Sequence, residues 1–318
     1  MTAGPLMKVL VTCPPMLGMI EELIPIAAID GLELVPAKVT QALSESELIA
    51  RLPDYDGWII GDDPASRAVV EAGKAGRLKA AVKWGVGVDN VDRDAFRDLG
   101  IPVDNTPMMF GGEVADVAVA YVVGLARQLF FIDREVRAHN AWPKPAGVSL
   151  AGRNIGLVGL GHIGCSIAKR LLAMDMIVTG YDPGVADDEP IPPVRRARWP
   201  EELQTLDFLV FACALTPVTR RMLDARALCA CKRGVFVVNV SRGQLIDEHA
   251  LVEALRSGQV RAAALEVFED EPLPASSPLR DFPQCIFGTH NSSNTKEAVR
   301  RASIAALGRL KTLLFEDL

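Results

Sequence analysis

Residues 154–164 read Asn-Ile-Gly-Leu-Val-Gly-Leu-Gly-His-Ile-Gly, an apolar strand running into Gly159-x-Gly161-x-x-Gly164. A helical stretch with Ile167, Ala168, Leu171 and Leu172 follows, then a second apolar run, Met176–Gly180, ending in Tyr181-Asp182-Pro183. Gly159 lets the chain turn sharply out of the strand, Gly161 lets the backbone approach a pyrophosphate, and Gly164 lets the helix pack closely on the sheet. The helix then offers free N–H groups and its positive dipole end to phosphates. Asp182 lies 18 residues past Gly164, where a carboxylate accepts hydrogen bonds from a ribose diol and repels a 2′-phosphate. That choice favours NAD over NADP. Tight glycine turns of this spacing also arise for structural reasons, but strand, helix, second strand and terminal Asp together point to a dinucleotide site.

The acid–base candidates are few, because the chain has four histidines. His162 lies in the glycine turn, His249 follows Asp247-Glu248 on a helix, and His139 sits at a polar helix end; all three read as structural or solvent-facing. His290 differs. It follows the apolar strand Cys285-Ile286-Phe287-Gly288-Thr289 and precedes the polar loop Asn291-Ser292-Ser293-Asn294. Arg242, in Asn239-Val240-Ser241-Arg242-Gly243, and Glu271, just past Ala264-Leu265-Glu266-Val267-Phe268, occupy the same kind of place. Ligands of open α/β sheets bind at the carboxyl ends of strands, so these three are site candidates, against the plainer alternative of surface loop residues. No metal site is expected. The six cysteines are scattered, and Cys229-x-Cys231 has neither a second pair nor a nearby His.

The elements that must hold these residues alternate along the chain. Strand candidates are Lys8–Thr12, Leu32–Val35, Trp58–Ile60, Ala80–Trp84 and Pro102–Val103, and helical stretches such as Ser44–Arg51 and Ser66–Ala75 fall between them. Ser44 and Glu47 fit a capping box. A long apolar helix is expected over Val117–Phe131 and a turn-rich stretch over Asn140–Gly147. Further strands at Phe208–Cys213, Val235–Val240, Ala262–Val267 and Ile286–Gly288 complete a second sheet of six or seven strands. Helical segments there include Glu248–Ser257, stopped by Gly258, and the chain closes with a helix over Lys296–Phe315. Repeated β-α units imply parallel sheets covered by helices on both faces.

At 318 residues and 49% hydrophobic content the chain can build two ordinary cores. A net charge of −6 with no basic run argues against a nucleic-acid or anionic-membrane surface. Arg195, Arg196 and Arg198 form the densest basic cluster and read as a solvated face. The first ten residues lack the charged and apolar regions of a signal peptide, and Val117–Ala126, bracketed by Asp116 and Arg127, is too short to span a bilayer. A cytoplasmic protein with reduced thiols is the expectation.

Taken together, the motifs resemble those of the D-isomer-specific 2-hydroxyacid dehydrogenases, and within that family the phosphoglycerate dehydrogenase branch. The resemblance is clearest from about residue 55 to 310. It rests on Gly85-Val86-Gly87-Val88-Asp89-Asn90-Val91-Asp92, Asn105-Thr106-Pro107, Glu113-Val114-Ala115-Asp116 and the Gly159–Gly164 loop. Tyr181-Asp182-Pro183, Leu215-Thr216-Pro217, Ser241-Arg242-Gly243, Glu269-Asp270-Glu271-Pro272 and Thr289-His290 carry it further, with 29 residues from Arg242 to Glu271. The resemblance implies an Arg–Glu–His constellation of Arg242, Glu271 and His290. Chemistry agrees: reduction of a 2-oxo acid needs a cation to hold the carboxylate and polarise the carbonyl, a task for Arg242. It also needs a proton donor for the new hydroxyl, which suits His290, and a carboxylate, Glu271, to orient that ring. The resemblance further implies NAD contacts from Gly159, Gly161, His162, Ile163, Gly164, Asp182, Cys213, Pro217, Val240, Ser241, Glu266 and His290. Substrate contacts would come from Arg242, from backbone N–H groups around Val86 and Gly87, and from Lys83. The last could meet a distal phosphate or be a snorkelling edge lysine.

Four departures from the family pattern stand out. Cys213-Ala214 replaces Leu-Pro; Glu266 replaces an Asp expected to face the nicotinamide amide; and Asn291-Ser292-Ser293 replaces a Gly-containing run. Met108, Met109 and Phe110 stand where phosphate-using relatives are more polar, which weighs against a phosphorylated substrate.

The expected architecture is α/β with two Rossmann-like or flavodoxin-like domains of parallel sheet and an active site in the cleft between them. Residues 1–107 with 293–318 would form the substrate-binding domain and 108–292 the NAD-binding Rossmann domain. The chain stops shortly after its last helix, so a short form without an appended regulatory domain is expected. The implied function is NAD-dependent interconversion of a D-2-hydroxy acid and its 2-oxo acid in a homodimer that buries the helix near 114–130. Phosphoglycerate is the leading substrate. The alternatives are glyoxylate or hydroxypyruvate reduction, and a non-catalytic NAD(H)-sensing protein like the corepressors of this fold.

Overall fold

The computed structural model describes residues 6–186 and 191–315, so the two chain ends, 1–5 and 316–318, lie outside it. The chain divides into two units, Met1–Met109 with Asn294–Leu318, and Phe110–Ser293.

In the first unit five short apolar runs become β1 (Met7–Val11), β2 (Leu32–Pro36), β3 (Gly57–Ile60), β4 (Ala80–Lys83) and β5 (Val103–Asn105). All pair parallel, in the order β2-β1-β3-β4-β5, the flavodoxin-like winding. Trp58, Ile60 and Leu10 on the strands and Leu48, Val69 and Phe96 on the covering helices form one buried cluster. The helix Glu45–Arg51 starts as the sequence predicts: Ser44 Oγ accepts from the Glu47 N–H and Glu47 Oε2 accepts from the Ser44 N–H at 2.9 Å. The last helix, Lys296–Phe315, belongs to this unit by contact. Trp84 Nε1 donates to Ser303 Oγ at 3.1 Å, Arg309 pairs with Asp104, and Leu310 lies so close to Gly57 that any Cβ there would stand 3.2 Å from it.

The second unit contains β6 (Asn154–Val158), β7 (Ile177–Tyr181), β8 (Arg195–Arg196), β9 (Phe208–Phe211), β10 (Val235–Asn239), β11 (Val260–Leu265) and β12 (Ile286–Phe287). Their order is β12-β11-β10-β9-β6-β7-β8, again parallel throughout. The winding reverses at β6, so the loops leaving β6 and β9 diverge at their carboxyl ends and leave room for a ligand. The strands β9 and β10 are buried on every residue, as expected of a sheet covered on both faces.

One expectation needs correction. The single helix over Val117–Phe131 is instead two helices, Gly111–Arg127 and Leu129–His139, meeting at 68°. Gln128 sits between them in the left-handed conformation (φ 56°), and the turn folds the Phe130 ring back onto Gly124. Tertiary packing has overridden a locally favourable helix. The arginine cluster lies on a solvated face as expected, with Arg195 and Arg198 exposed; Arg195 and Arg196 form the edge strand β8, Arg195 pairs with Glu202, and Arg196 donates to the Ala186 and Val185 carbonyls. Among the described residues no single helix is long and apolar enough to cross a membrane, and no group of His, Cys, Asp and Glu could hold a metal ion.

Candidate active site

At the end of β6 the backbone itself builds the cradle. Gly159 has φ +97°, and a Cβ there would stand 2.7 Å from Cys213 backbone atoms at the end of β9. A Cβ at Gly164 would stand 2.0 Å from the Gly159 carbonyl oxygen, so helix and loop can approach this closely only through glycine. At Gly161, the N-cap of the helix His162–Leu172, a Cβ would meet nothing within 4 Å; that backbone faces open space with the helix N-terminus behind it. Asp182, at the end of β7, turns back on the loop: Oδ2 accepts from the Leu160 N–H at 2.8 Å and Oδ1 from the Gly184 N–H at 2.9 Å. The donor strip, the close glycines and the carboxylate fit an NAD molecule. His162 packs its ring on Gly111, Ile163 is half-buried, and Pro217 is exposed in a turn. Val240 is buried. Ser241 Oγ donates to the Cys213 carbonyl and ties the ends of β9 and β10 together, while burial pushes the Cys213 thiol up to about 12.

His290, Glu271 and Arg242 all lie at carboxyl ends of this one sheet. His290 Nδ1 is 2.8 Å from Glu271 Oε2, with both side chains about a quarter exposed. Glu271 is itself held, Oε1 accepting from the Phe268 N–H at 3.0 Å. Arg242 precedes Gly243, whose Cβ position is occupied by the Phe268 carbonyl carbon at 1.8 Å; the loop after β10 therefore lies directly on the loop after β11 that carries Glu271. Asn239 sets the Arg242 backbone: Nδ2 donates to the Arg242 carbonyl at 2.8 Å, and Oδ1 accepts from the Ser241 N–H at 3.1 Å. An asparagine in an otherwise Val-Phe-Val-Val strand was the signal for it. Glu248, also unforeseen, accepts from the Glu269 N–H at 2.7 Å, and burial raises its pKa above the ordinary range.

Glu266 follows directly on the end of β11. It is buried, its Oε2 accepts from the Tyr121 hydroxyl, and its Oε1 accepts from the Asn291 N–H. Nothing in the sequence singled out Tyr121, which sits in an apolar helical run.

Lys83, Val86 and Gly87 belong to the first unit. Lys83 is buried and is no snorkelling edge lysine: its side chain is 4% exposed, and its ammonium donates to the Gly61 carbonyl and to Asp62 Oδ1, the latter at 3.1 Å. Val86 and Gly87 follow Gly85 (φ +132°) in a loop pinned by Asn105 Nδ2 on the Val86 carbonyl at 3.2 Å. Their own N–H groups meet no protein acceptor among the described residues.

A doubly wound sheet with a glycine cradle at its switch point and a carboxylate ending the next strand defines a class, the NAD-binding α/β dehydrogenases. Residues 119–292 match the model of the D-isomer specific 2-hydroxyacid dehydrogenase NAD binding domain. The chain belongs to that family. It is 33% identical to the D-3-phosphoglycerate dehydrogenase of Methanocaldococcus jannaschii over 90% of this chain and 55% of that protein. It is also 33% identical to the hydroxypyruvate reductase of Thermotoga maritima, over 85% and 89% respectively. The chain thus spans about half the length of the phosphoglycerate dehydrogenases it matches. The solved TT0316 protein from Thermus thermophilus superposes with a TM-score of 0.83 at 32% identity, covering 97% of each chain.

Proposed function

We propose that this protein is an NAD-dependent D-2-hydroxyacid dehydrogenase in which His290, Glu271 and Arg242 act on a 2-hydroxy or 2-oxo acid. The observation that carries the reading is the His290–Glu271 pair at the carboxyl end of the sheet that holds the glycine cradle. The Gly159–Gly164 loop and Asp182 would hold NAD, which would supply or accept the hydride. The rest is work for the chain. Glu271 occupies Nδ1 of His290, which fixes the tautomer and leaves Nε2 as the atom that gives a proton to the new hydroxyl, or takes it in oxidation. The Arg242 guanidinium holds the substrate carboxylate in a bidentate manner and polarises the neighbouring carbonyl.

For the substrate, the leading reading is D-3-phosphoglycerate, supported by relatives of that name at 33–37% identity. Reduction of hydroxypyruvate or glyoxylate is the second reading, favoured by the Lys83 ammonium being already engaged by Asp62 and Gly61. NADH oxidation measured against phosphohydroxypyruvate, hydroxypyruvate and glyoxylate decides between them. A preference for the phosphorylated acid of about 100-fold in kcat/KM, lost in Lys83→Met, supports the first; equal or better turnover of the short acids supports the second.

We also propose that the protein works in the cytoplasm as a homodimer. Leu129, Phe130 and Val136 on the second of the two bent helices, and Trp142 just beyond, expose large apolar surface, 80% for Trp142. Such a patch is suited to a second copy. Sedimentation at twice the chain mass is expected, and a monomer at micromolar concentration would contradict it.

A further inference from the structure

We propose that the buried Tyr121–Glu266 pair is a positioning device for His290, and that the Glu266 carboxylate serves the His290 loop in place of the cofactor. The inference rests on the reading of His290 as the acid–base group and adds to it the parts that hold it in place.

His290 has φ +54°, in the left-handed region that a non-glycine residue occupies only when its surroundings impose it. Glu266 meets this turn with both its backbone and its side chain. The Glu266 backbone carbonyl accepts from the His290 N–H at 2.8 Å, and its Oε1 accepts from the next N–H, that of Asn291. Two successive donors of the turn are thus satisfied by a single glutamate. The carboxylate is fixed in turn by the Tyr121 hydroxyl on Oε2, delivered from the helix Gly111–Arg127. Burial, reinforced by the neighbouring carboxylate, holds the Tyr121 phenol far above the ordinary tyrosine range, so it remains a donor across any assay pH.

Two further observations separate this arrangement from a carboxylate aimed at a ligand. Glu266 is only 3% exposed. Its carboxylate is also covered by the backbone of Gly288, where a Cβ would stand 1.9 Å from Oε2 and 2.5 Å from the Tyr121 oxygen. The extra methylene relative to the aspartate of the family pattern has a role on this view: it spans from the end of β11 to Tyr121 on one side and Asn291 on the other.

Tyr121→Phe removes only the hydroxyl and tests the device in two ways. In the ligand-free protein, hydrogen exchange at the Asn291 amide should accelerate at least about tenfold, while protected amides of the helix Glu248–Arg256 stay unchanged. In turnover with NADH and a 2-oxo acid, kcat should fall by roughly 10–100-fold with the KM for NADH within about twofold, because a misplaced His290 is felt in the chemical step. Glu266→Ala should lose a similar factor, and Tyr121→Phe added to it should lose nothing more, as coupled residues do. Glu266→Gln should restore most of the rate, since its amide oxygen still accepts from Asn291 and its amide nitrogen can donate to Tyr121. Unchanged Asn291 exchange in Tyr121→Phe, or a raised NADH KM with unchanged kcat in Glu266→Gln, overturns the proposal. Should the wild-type protein turn over no 2-oxo acid, the catalytic reading fails separately and the exchange measurement still decides whether the pair holds the loop. If Tyr121→Phe does not fold, Glu266→Asp, too short for both contacts, is read by the same exchange.

Discussion

His290→Ala is expected to lower kcat for NADH-dependent reduction of a 2-oxo acid by about 10³-fold, within the range of a lost general acid. The size follows from the site. The chain has three other histidines, and among the described residues none of them stands on a carboxylate at the end of β11 or β12 as His290 stands on Glu271. With Nδ1 committed to that carboxylate, removal of the ring removes the proton donor, and water must replace it without orientation. Nucleotide binding should survive, because the glycine cradle and Asp182 make no use of the imidazole. The check is steady-state NADH oxidation beside NADH binding by fluorescence. A variant within about tenfold of the parent in kcat assigns the proton to another group.

Arg242→Ala is expected to cost about 10²–10³-fold in kcat/KM, from the loss of a charge-assisted bidentate contact to the substrate carboxylate. The loss should fall on KM for the 2-oxo acid and on kcat together, since the same guanidinium holds the acid and polarises the reacting carbonyl. Arg242→Lys should recover only part of it: an ammonium keeps the charge but not the planar fork. The local frame should persist in both variants, because Asn239 holds the Arg242 backbone carbonyl and Gly243 sets the loop against Phe268 without help from the guanidinium. Kinetics over a range of 2-oxo acid concentrations separates the two parameters, and an Arg242→Ala enzyme within threefold of the parent contradicts the assignment.

The cradle was legible in the sequence because two of its glycines answer a backbone requirement that no other residue meets: a positive φ at Gly159 and a close approach at Gly164. The three residues proposed for acid–base work and carboxylate binding were legible for a different reason, since apolar runs announce strands and the residues just past a strand's carboxyl end lie where ligands bind. Other features depend on packing that sequence periodicity does not encode. Gln128 is a good helix former, and only the folding of Phe130 onto Gly124 ends the helix there. Tyr121 reads as one more core aromatic until its hydroxyl is seen on Glu266. Lys83 at the end of β4 was open to two readings, and the partner that helps to bury it, Asp62, lies 21 residues away in sequence.

The most direct test of the central claim follows the hydride itself. The protein is incubated with NADH deuterated at C4 of the nicotinamide, in each stereochemical form, together with hydroxypyruvate, and the product is analysed by NMR. The account predicts deuterium at C2 of a product of D configuration from one of the two forms, and no such transfer by His290→Ala over the same interval. Binding of NADH without label at C2, for any 2-oxo acid offered, would contradict it and leave a nucleotide-binding protein in place of an enzyme.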